Sequence, residues 1–323
     1  MIDLSRRSAD GAKSDLSRWP ALVLTAGLAT RLQPLSSVRA KAALPVAGQS
    51  LVRRILRSLA ADGIRRVVLN LHHRADTITR EIGDGSSLGL AVRYSWEPEI
   101  LGSAGGPARA LPLLDADRFL IVNGDTLANV DLRALADRHV DTNAMVTMAV
   151  ADADPRYNAI LADENGIVSG FKKSTSGTVG PLGTYHFIGV QATNAAAFAG
   201  VSPNIRSETV HGMYPQLIAA RPGSIRVMRT TAEFFDIGTP RDYLATAIRL
   251  AARENVPLDR GAGSSVAPDA RLEDTILWNG VTIGSRASLV RCVVTDGVDV
   301  PAGARHVECS LVTRDSKLVV EPF

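Results

Sequence analysis

A run of small residues after an apolar stretch is the part of this sequence best suited to chemistry. It follows the predicted strand Ala21–Thr25 and reads Ala26, Gly27, Leu28, Ala29, Thr30 and Arg31. Small side chains let backbone N–H groups approach phosphate oxygens closely. Arg31 adds a planar cation suited to phosphoryl charge, and Lys41 supplies a point charge further along the chain. Taken alone, the same run also fits a plain tight turn.

Alternating strand and helix patterns from Trp19 to about Ala252 predict an α/β sheet that would position this loop. Ligands bind at the carboxyl ends of the strands in doubly wound sheets, so Thr25, Asn70 and Asn123 form the rim to inspect. The predicted elements up to this rim are strands Ala21–Thr25, Arg65–Asn70, Ala91–Ser95 and Arg118–Asn123 and helices Ser50–Ala61, Arg74–Ile82 and Ser103–Leu111.

The chain becomes richer in strands after Asp141, which indicates a mixed extension of the same sheet. The predicted strands are Ala144–Ala151, Ala159–Leu161, Ile167–Phe171, Gly183–Val190 and Ser224–Arg229, with helices near Thr193–Phe198, Gly212–Ala220 and Pro240–Arg253.

From Gly261 onward the sequence repeats at a constant short spacing, which Gly263, Gly280 and Gly297 mark. Small and aliphatic residues at a fixed short period are typical of a β-solenoid, in which each coil stacks on the next. Irregular strands with coincidental spacing are the alternative. The repeat predicts a short β-helix in which Cys292 and Cys309 stack in one column.

Composition and charge narrow the class of protein. The chain is 46% hydrophobic and carries a net charge of +3, which gives weak support for an anionic small-molecule ligand and almost none for nucleic acid. Neither a membrane span nor a signal-peptide core is evident, so we expect a cytoplasmic protein with reduced cysteines. The predicted organisation is a loose tail over residues 1–19, a catalytic domain over 20–255 and a hexapeptide-like β-helix domain over 256–323.

Several segments together resemble the sugar-1-phosphate nucleotidyltransferase family. Residues 24–35 (LTAGLATRLQPL) and 41–48 (KAALPVAG) are similar to its signature L-A-G-G-x-G-T-R-L-x-P-L-T, then P-K and P-V-x-G. Residues 101–106 (LGSAGG) resemble its L-G-T-A-G segment, residues 119–125 (FLIVNGD) end in its G-D, and residues 233–240 (EFFDIGTP) resemble its W/F-x-D-x-G-T-P. The motifs lie in the family's order, whereas the loop has neither a Walker A motif nor a dinucleotide fingerprint.

The resemblance implies a Rossmann-like, mixed but largely parallel α/β sheet of the GT-A type, followed by a left-handed β-helix. It also implies in-line attack of a sugar phosphate on a nucleoside triphosphate, with Arg31, Lys41, Asp125 and Asp236 as catalytic residues. Asp125 and Asp236 would hold Mg²⁺, although an aspartate after a glycine is often only a turn-former. The implied nucleotide-binding residues are Thr25, Ala26, Gly27, Leu28, Ala29, Thr30, Arg31, Asn70, Gly102, Ser103 and Gly105.

The sugar side departs from the family pattern. The family's Y-G-x-I is represented by residues 157–160 (YNAI), and its E-K-P by Lys172, Lys173 and Ser174. The resemblance implies sugar-phosphate binding by Asn158, Lys173, Gly183 and Glu208, the last of which could equally be a helix-start carboxylate. These departures leave the sugar open.

Within the family, the chain most resembles mannose-1-phosphate guanylyltransferases, which implies transfer of a nucleotide from GTP to mannose 1-phosphate. The same chemistry on heptose, N-acetylmuramate or glucose 1-phosphate with UTP, CTP or dTTP is the alternative. A regulatory paralogue that only binds a nucleotide sugar is a second alternative, and an acyltransferase in the β-helix a third. We expect the β-helix to mediate self-association, with no nucleic-acid or membrane partner.

Overall fold

The computed structural model describes residues 14–173 and 183–323. The first strands are β1 (Ala21–Leu24), β2 (Pro45–Val46), β3 (Gln49–Ser50), β4 (Arg66–Leu71), β5 (Ala91–Trp96), β6 (Arg118–Asn123), β7 (Thr126–Ala128), β8 (Val146–Asp152), β9 (Ala159–Ala162), β10 (Val168–Lys172), β11 (Thr184–Asn194), β12 (Ile225–Arg229) and β13 (Phe234–Asp236). The α-helices are α1 (Leu51–Ala61), α2 (Ala75–Ile82), α3 (Gly102–Leu114), α4 (Leu132–Asp141), α5 (Tyr214–Ala220) and α6 (Pro240–Glu254). Short 3-10 helices cover Leu16–Arg18, Thr30–Leu32, Leu35–Ser37, Lys41–Ala43, Ser86–Leu88 and Ala195–Phe198, and a π-helical turn covers Thr209–Met213.

A mixed sheet of nine strands, in the described part of the chain, forms the centre of the molecule. Its main path is β10-β9-β11-β6-β1-β4-β5, and β8 joins β11 to β12. Strands β6, β1, β4 and β5 are parallel, so their carboxyl ends lie at one edge. Strand β11 runs antiparallel to β6 and begins the mixed extension. The α/β class and the mixed extension predicted from the sequence are confirmed.

Helix α1 shows how the local sequence produces these elements. The Ser50 hydroxyl accepts a hydrogen bond from the Arg53 backbone N–H at 3.3 Å and so caps the helix. Leu51, Ile55 and Leu59 recur at helical spacing and are buried in the protein core.

The segment before β1 differs from the loose tail predicted over residues 1–19. Leu16 and Trp19 are 2% and 7% exposed and belong to the core. The Asp15 side chain caps the turn Leu16–Arg18, and the Trp19 ring meets His139 of α4 edge-on, with 5.9 Å between centroids. The prediction for residues 14–19 is therefore wrong, because two large apolar side chains outweigh their polar neighbours. Its remainder, residues 1–13, lies outside the described residues.

The repeats after Gly261 form a β-helix. Its strands are β14 (Ser265–Val266), β15 (Arg271–Glu273), β16 (Ile276–Leu277), β17 (Thr282–Ile283), β18 (Ser288–Val290), β19 (Val293–Val294), β20 (Asp299–Val300), β21 (Arg305–Val307), β22 (Cys309–Arg314) and β23 (Lys317–Pro322). Parallel partners such as Ser265 and Thr282 are one repeat apart. Cys292 and Cys309 are buried thiols whose sulfurs lie 3.6 Å apart, in the predicted column.

The β-helix shares a hydrophobic cluster with the preceding domain. Trp278 and Val293 pack with Leu44, Val46 and Tyr243. An ion pair accompanies this packing, because the guanidinium of Arg39 binds both carboxylate oxygens of Asp296 at 2.7 and 2.5 Å. Within the described residues, no helix is long and apolar enough to cross a membrane.

Candidate active site

A cavity of about 510 Å³ lies at the carboxyl ends of β1, β4 and β6. This is the rim to which the sequence pointed, because parallel strands end at a common edge. Its lining comprises Leu24, Thr25, Ala26, Gly27, Leu28, Ala29, Thr30, Arg31, Lys41, Ala42, Asn70, Glu97, Ile100, Gly102, Ser103, Asn123, Gly124, Asp125, Arg206 and Gly238. The structure thus brings the predicted loop, both predicted cations and Asp125 to one cavity.

The loop after β1 has an unusual backbone conformation where it lines the cavity. Ala29 has φ 49° and ψ 47°, in the left-handed region that favours glycine, and the turn Thr30–Leu32 follows it. A Cβ on Gly124 would lie 2.5 Å from the Leu24 carbonyl oxygen, so only glycine allows the end of β6 to approach β1 this closely. The two strand ends therefore present backbone groups side by side to a ligand.

A buried polar network fixes the floor of the cavity. The Thr25 N–H donates to Asn70 Oδ1 at 2.7 Å, and Asn70 Nδ2 donates to Glu97 Oε1 at 2.8 Å. Glu97 Oε2 accepts the Leu101 N–H at 2.9 Å. The sequence reasoning missed Glu97, although its place directly after β5 is the end-of-strand signal that indicated Asn70.

The two candidate acidic residues meet through a ribbon of two short strands. Strand β13 pairs antiparallel with β7, and Asp236 lies opposite Thr126. Asp125 immediately precedes β7, and its carbonyl oxygen lies 3.5 Å from the Ile237 nitrogen. The ribbon therefore places both carboxylates at one end, although they come from distant parts of the chain.

Opposite charges surround these carboxylates. Lys41 Nζ donates to Asp125 Oδ2 at 2.8 Å. The pKa of the Asp236 carboxyl group is raised above its usual value, chiefly by burial. The Asp125 charge also raises it, and the nearby Lys41 and Arg31 cations offset part of this rise. The four residues predicted to be catalytic thus act on one another electrostatically.

The donor set at this end fits a hard divalent cation. Two carboxylates supply oxygen ligands, and Mg²⁺ usually takes its remaining ligands from water and substrate phosphates. In the described ranges no group of three or more His, Cys, Asp or Glu side chains could hold a metal by protein ligands alone. A metal at Asp125 and Asp236 would therefore take its remaining ligands from water or from a substrate phosphate.

A second cavity of about 260 Å³ adjoins the first and shares Leu24, Ser103 and Asn123 with it. Asn158 lines it together with Tyr157, so this predicted sugar-side residue lies beside the first cavity. Its other lining residues are Ile121, Met148, Ala159, Ile160, Phe171, Phe187, Gln191, Thr209, Val210 and Tyr214.

The remaining predicted residues have other local contacts. Lys173 is exposed beside the segment 174–182, which lies outside the described residues. Gly183 has φ 87° and its carbonyl accepts the Ala162 N–H at 2.9 Å, which starts the pairing of β11. Glu208 accepts hydrogen bonds from the Ser103 N–H and hydroxyl at 3.2 and 2.8 Å. The carboxylate of Glu208 thus caps the start of α3.

The glycines of α3 allow the segment 205–207 to pack against this helix. A Cβ on Gly105 would lie 2.7 Å from the Ile205 carbonyl oxygen, and one on Gly102 would lie 2.7 Å from that of Ser207. Gly102 also lines the first cavity, whereas Gly105 does not. The same packing brings Arg206, which the sequence reasoning missed, to the cavity wall.

Comparison with known proteins identifies the family. A family model described as nucleotidyl transferase matches residues 20–253. The chain belongs to this family. It is 31% identical over 295 residues to a mannose-1-phosphate guanylyltransferase of Mycobacterium tuberculosis, covering 88% of this chain and 81% of that protein. Over 115 residues it is 41% identical to an N-acetylmuramate alpha-1-phosphate uridylyltransferase of Neisseria meningitidis serogroup B, covering 35% of this chain and 50% of that protein.

A solved structure gives the same fold. HddC from Yersinia pseudotuberculosis superimposes with a TM-score of 0.61 at 23% identity, over 72% of this chain and 99% of that one. Together with the named relatives, the family match makes this nucleotidyltransferase an enzyme of the sugar-1-phosphate type, as the sequence predicted.

Proposed function

We propose that this nucleotidyltransferase transfers GMP from GTP to mannose 1-phosphate with the help of Mg²⁺, forming GDP-mannose and pyrophosphate. The observation that supports this choice most is the 31% identity to a mannose-1-phosphate guanylyltransferase over 88% of the chain. Similarity of that extent spans both the α/β domain and the β-helix, whereas the uridylyltransferase match covers 35% of the chain.

The loop and its cations receive the triphosphate. The backbone of residues 26–30 lines the cavity, and Arg31 supplies a guanidinium that can bind two phosphate oxygens at once. Arg31 lies close to the strand end that carries Asp236, since its Nη1 would be 3.3 Å from a Cβ on Gly238. The chain therefore stabilises the charge that develops on the α- and β-phosphates in the transition state.

Asp125 and Asp236 would hold the metal ion. Bound there, Mg²⁺ would neutralise phosphate oxygens and polarise the α-phosphorus. Lys41 contacts Asp125 and would hold the phosphate of the incoming sugar. The sugar 1-phosphate is already ionised, so positioning of two anions carries most of the catalysis and no protein nucleophile is needed.

The second cavity would take the sugar. Ser103 and Asn123 line both this cavity and the first. Asn158 supplies an amide that can bind sugar hydroxyls, and Tyr157 supplies an aromatic wall. We place Lys173 on the sugar phosphate, with Gly183 opening the strand behind it.

Uridylyl transfer to N-acetylmuramate 1-phosphate is the second candidate. It is favoured by the 41% identity over 115 residues to the enzyme of Neisseria meningitidis. The two candidates differ in both base and sugar, so one assay separates them.

The test is pyrophosphate release over a matrix of GTP, UTP, CTP, dTTP and ATP against 1-phosphates of mannose, glucose, heptose and N-acetylmuramate. We expect the highest kcat/KM for GTP with mannose 1-phosphate. A higher value for UTP with N-acetylmuramate 1-phosphate would establish the second candidate. Nucleotide-sugar binding without release from any pair would indicate a regulatory protein.

A further inference from the structure

His186 is a buried histidine that contacts both ends of the loop between β8 and β9. It lies in β11, which pairs with both of these strands, and it is 5% exposed. Its Nδ1 donates a hydrogen bond to the carbonyl oxygen of Asp152 at 2.7 Å, where the loop begins. Its ring stacks on Tyr157 near the end of the loop, with 5.0 Å between ring centroids and 22° between ring planes. One side chain from a neighbouring strand therefore holds the loop at two points.

Hydrogen bonds inside the loop shape it without fixing its position over the sheet. The Arg156 guanidinium binds the Asp154 carboxylate, and the Tyr157 N–H donates to the Asp154 carbonyl oxygen at 3.0 Å. The Arg156 side chain is 73% exposed, and an exposed ion pair of this kind stabilises a fold little. The position of the loop therefore depends on contacts with other elements, among which are those of His186.

The contact between His186 and Tyr157 belongs to a cluster of three aromatic rings. Phe234 is the third member, and its ring centroid lies 5.3 Å from that of Tyr157 and 5.4 Å from that of His186. Aromatic rings at such distances stabilise one another beyond the area they bury. Phe234 belongs to β13, which also carries Asp236. The cluster therefore joins the loop to the ribbon of β7 and β13.

The imidazole of His186 contributes one hydrogen-bond donor and one flat face. The Asp152 carbonyl oxygen can only accept, so Nδ1 carries a proton. Across the described residues, the buried Nε2 has no hydrogen-bond partner. His186 lines neither of the two cavities at the candidate site, whereas Tyr157 lines the second one. Any effect of His186 on a ligand must therefore pass through the loop.

We propose that His186 is a positioning residue that holds Tyr157 and Asn158 in place as one wall of the cavity for the sugar 1-phosphate. The two residues are consecutive and both line the second cavity, so a shift of the Tyr157 ring also moves Asn158. Neither of them lines the first cavity. The inference rests on the proposed function, which assigns the second cavity to the sugar. Loss of the His186 contacts should therefore weaken binding of the sugar 1-phosphate and leave binding of the nucleoside triphosphate unchanged.

Three substitutions at position 186 separate the ring from the donor. His186→Ala removes both, so it should raise KM for the sugar 1-phosphate roughly 10-fold and leave KM for the nucleoside triphosphate within roughly twofold. His186→Phe keeps a stacking ring without the donor, and His186→Asn keeps a donor without the ring. Each of these should raise KM for the sugar 1-phosphate only roughly 3-fold. The two partial variants keep the proposal testable where His186→Ala does not fold.

His139→Ala is the matched control. His139 is also a buried histidine, 1% exposed, with one aromatic contact to Trp19 and a hydrogen bond between Nδ1 and the Thr147 hydroxyl at 2.9 Å. It lines neither cavity at the candidate site. His139→Ala should therefore lower the free energy of unfolding without changing the ratio of the two KM values.

Limited proteolysis with trypsin reports on the loop without catalysis. Arg156 is an exposed cleavage site inside the loop, and Arg206, whose side chain is 71% exposed, is an internal reference outside it. Cleavage of a native loop follows the fraction of time that the loop is open. His186→Ala should speed cleavage after Arg156 roughly 10-fold relative to cleavage after Arg206, and His139→Ala should not.

The outcomes separate this role of His186 from the function on which it rests. A higher KM for the sugar 1-phosphate alone, together with faster cleavage after Arg156, would support the role. Equal changes in both KM values, or unchanged cleavage, would show that His186 only stabilises the fold and would overturn it. A wild-type enzyme that prefers another pair of substrates would overturn guanylyl transfer to mannose 1-phosphate, and the KM values for that pair would then decide about His186. Release from no pair would overturn the catalytic proposal, and the cleavage rates alone would then decide whether His186 holds the loop.

Discussion

Trp278 joins the β-helix to the nucleotidyltransferase domain, and Trp278→Ala tests whether the two fold as one unit. Its side chain is 0% exposed and packs in the cluster that contains Leu44 and Tyr243. The indole N–H donates to the Tyr243 hydroxyl at 3.2 Å, and the Arg39 guanidinium lies 5.0 Å from the ring centroid. The substitution removes all three interactions at once.

The expected loss in free energy of unfolding is about 4 kcal/mol, because a buried Trp→Ala replacement costs about 3–5 kcal/mol through lost contacts and the cavity it leaves. The broken hydrogen bond adds little. The Tyr243 hydroxyl still donates to the Pro45 carbonyl at 2.5 Å, so no buried donor is left without an acceptor. A loss of this size is a large part of the total stability of a typical domain.

The assay is urea unfolding followed by far-UV circular dichroism and by residual pyrophosphate release. We expect one cooperative transition. Trp278→Ala should lower its urea midpoint equally in both signals, because the cluster contains residues of the nucleotidyltransferase domain and of the β-helix. Trp96→Ala is the control, since Trp96 is 52% exposed and its loss should cost less than about 1 kcal/mol. Two transitions, with the catalytic one unmoved by Trp278→Ala, would refute a shared core.

Three further predictions concern charged groups. Asp125→Asn and Asp236→Asn should each lower kcat roughly 100-fold or more, since each would remove a charge from the proposed metal site. The free energy of unfolding should fall by no more than about 1 kcal/mol, because neither change removes an apolar contact and the Lys41–Asp125 ion pair is partly exposed. Near-normal turnover would remove that residue from the proposed metal site. Lys41→Met removes an ammonium group that competes with a metal ion for Asp125. The variant should therefore bind free Mn²⁺ roughly 10-fold more tightly in a metal titration, while its kcat/KM falls. Unchanged Mn²⁺ affinity would contradict the competition. Burial raises the pKa of Asp259, so ionisation of this carboxyl group destabilises the folded state once the pH exceeds the ordinary aspartate pKa. Asp259→Asn should therefore stabilise the protein more at neutral than at acidic pH. An equal gain at both pH values in urea unfolding would argue against this cause.

Sequence patterns sufficed wherever a local rule applies. Asn70 and the loop at residues 25–31 follow buried strands, and parallel strands end at a common edge, so their meeting in one cavity could be predicted. The regular repeat after Gly261 predicted stacked coils because parallel partners must recur at the period of the repeat. These features need only the alternation of side chains and the geometry of regular elements.

Features that depend on tertiary contacts could not be predicted in this way. Strands β7 and β13 are too short to show a period, and only their pairing brings Asp125 to Asp236. Glu97 follows a strand as Asn70 does, but its burial arises from α3 packing against it. Glu208 carries no local sign that its carboxylate caps a distant helix.

In the proposed function, the contact between Lys41 and Asp125 would let these two charges serve a metal ion and a phosphate in turn. Asp125 Oδ2 accepts the ammonium of Lys41, and Oδ1 accepts the Thr126 hydroxyl at 3.1 Å. In the proposed function, a dication on the same carboxylate would repel that ammonium, and an incoming phosphate would offer Lys41 another anion. The Lys41 ammonium would therefore oppose binding of a metal without nucleotide, whereas a metal–nucleotide complex would bring its own anions for Lys41 and Arg31. On this proposal, the ion pair would keep Lys41 at the site until the phosphates bind.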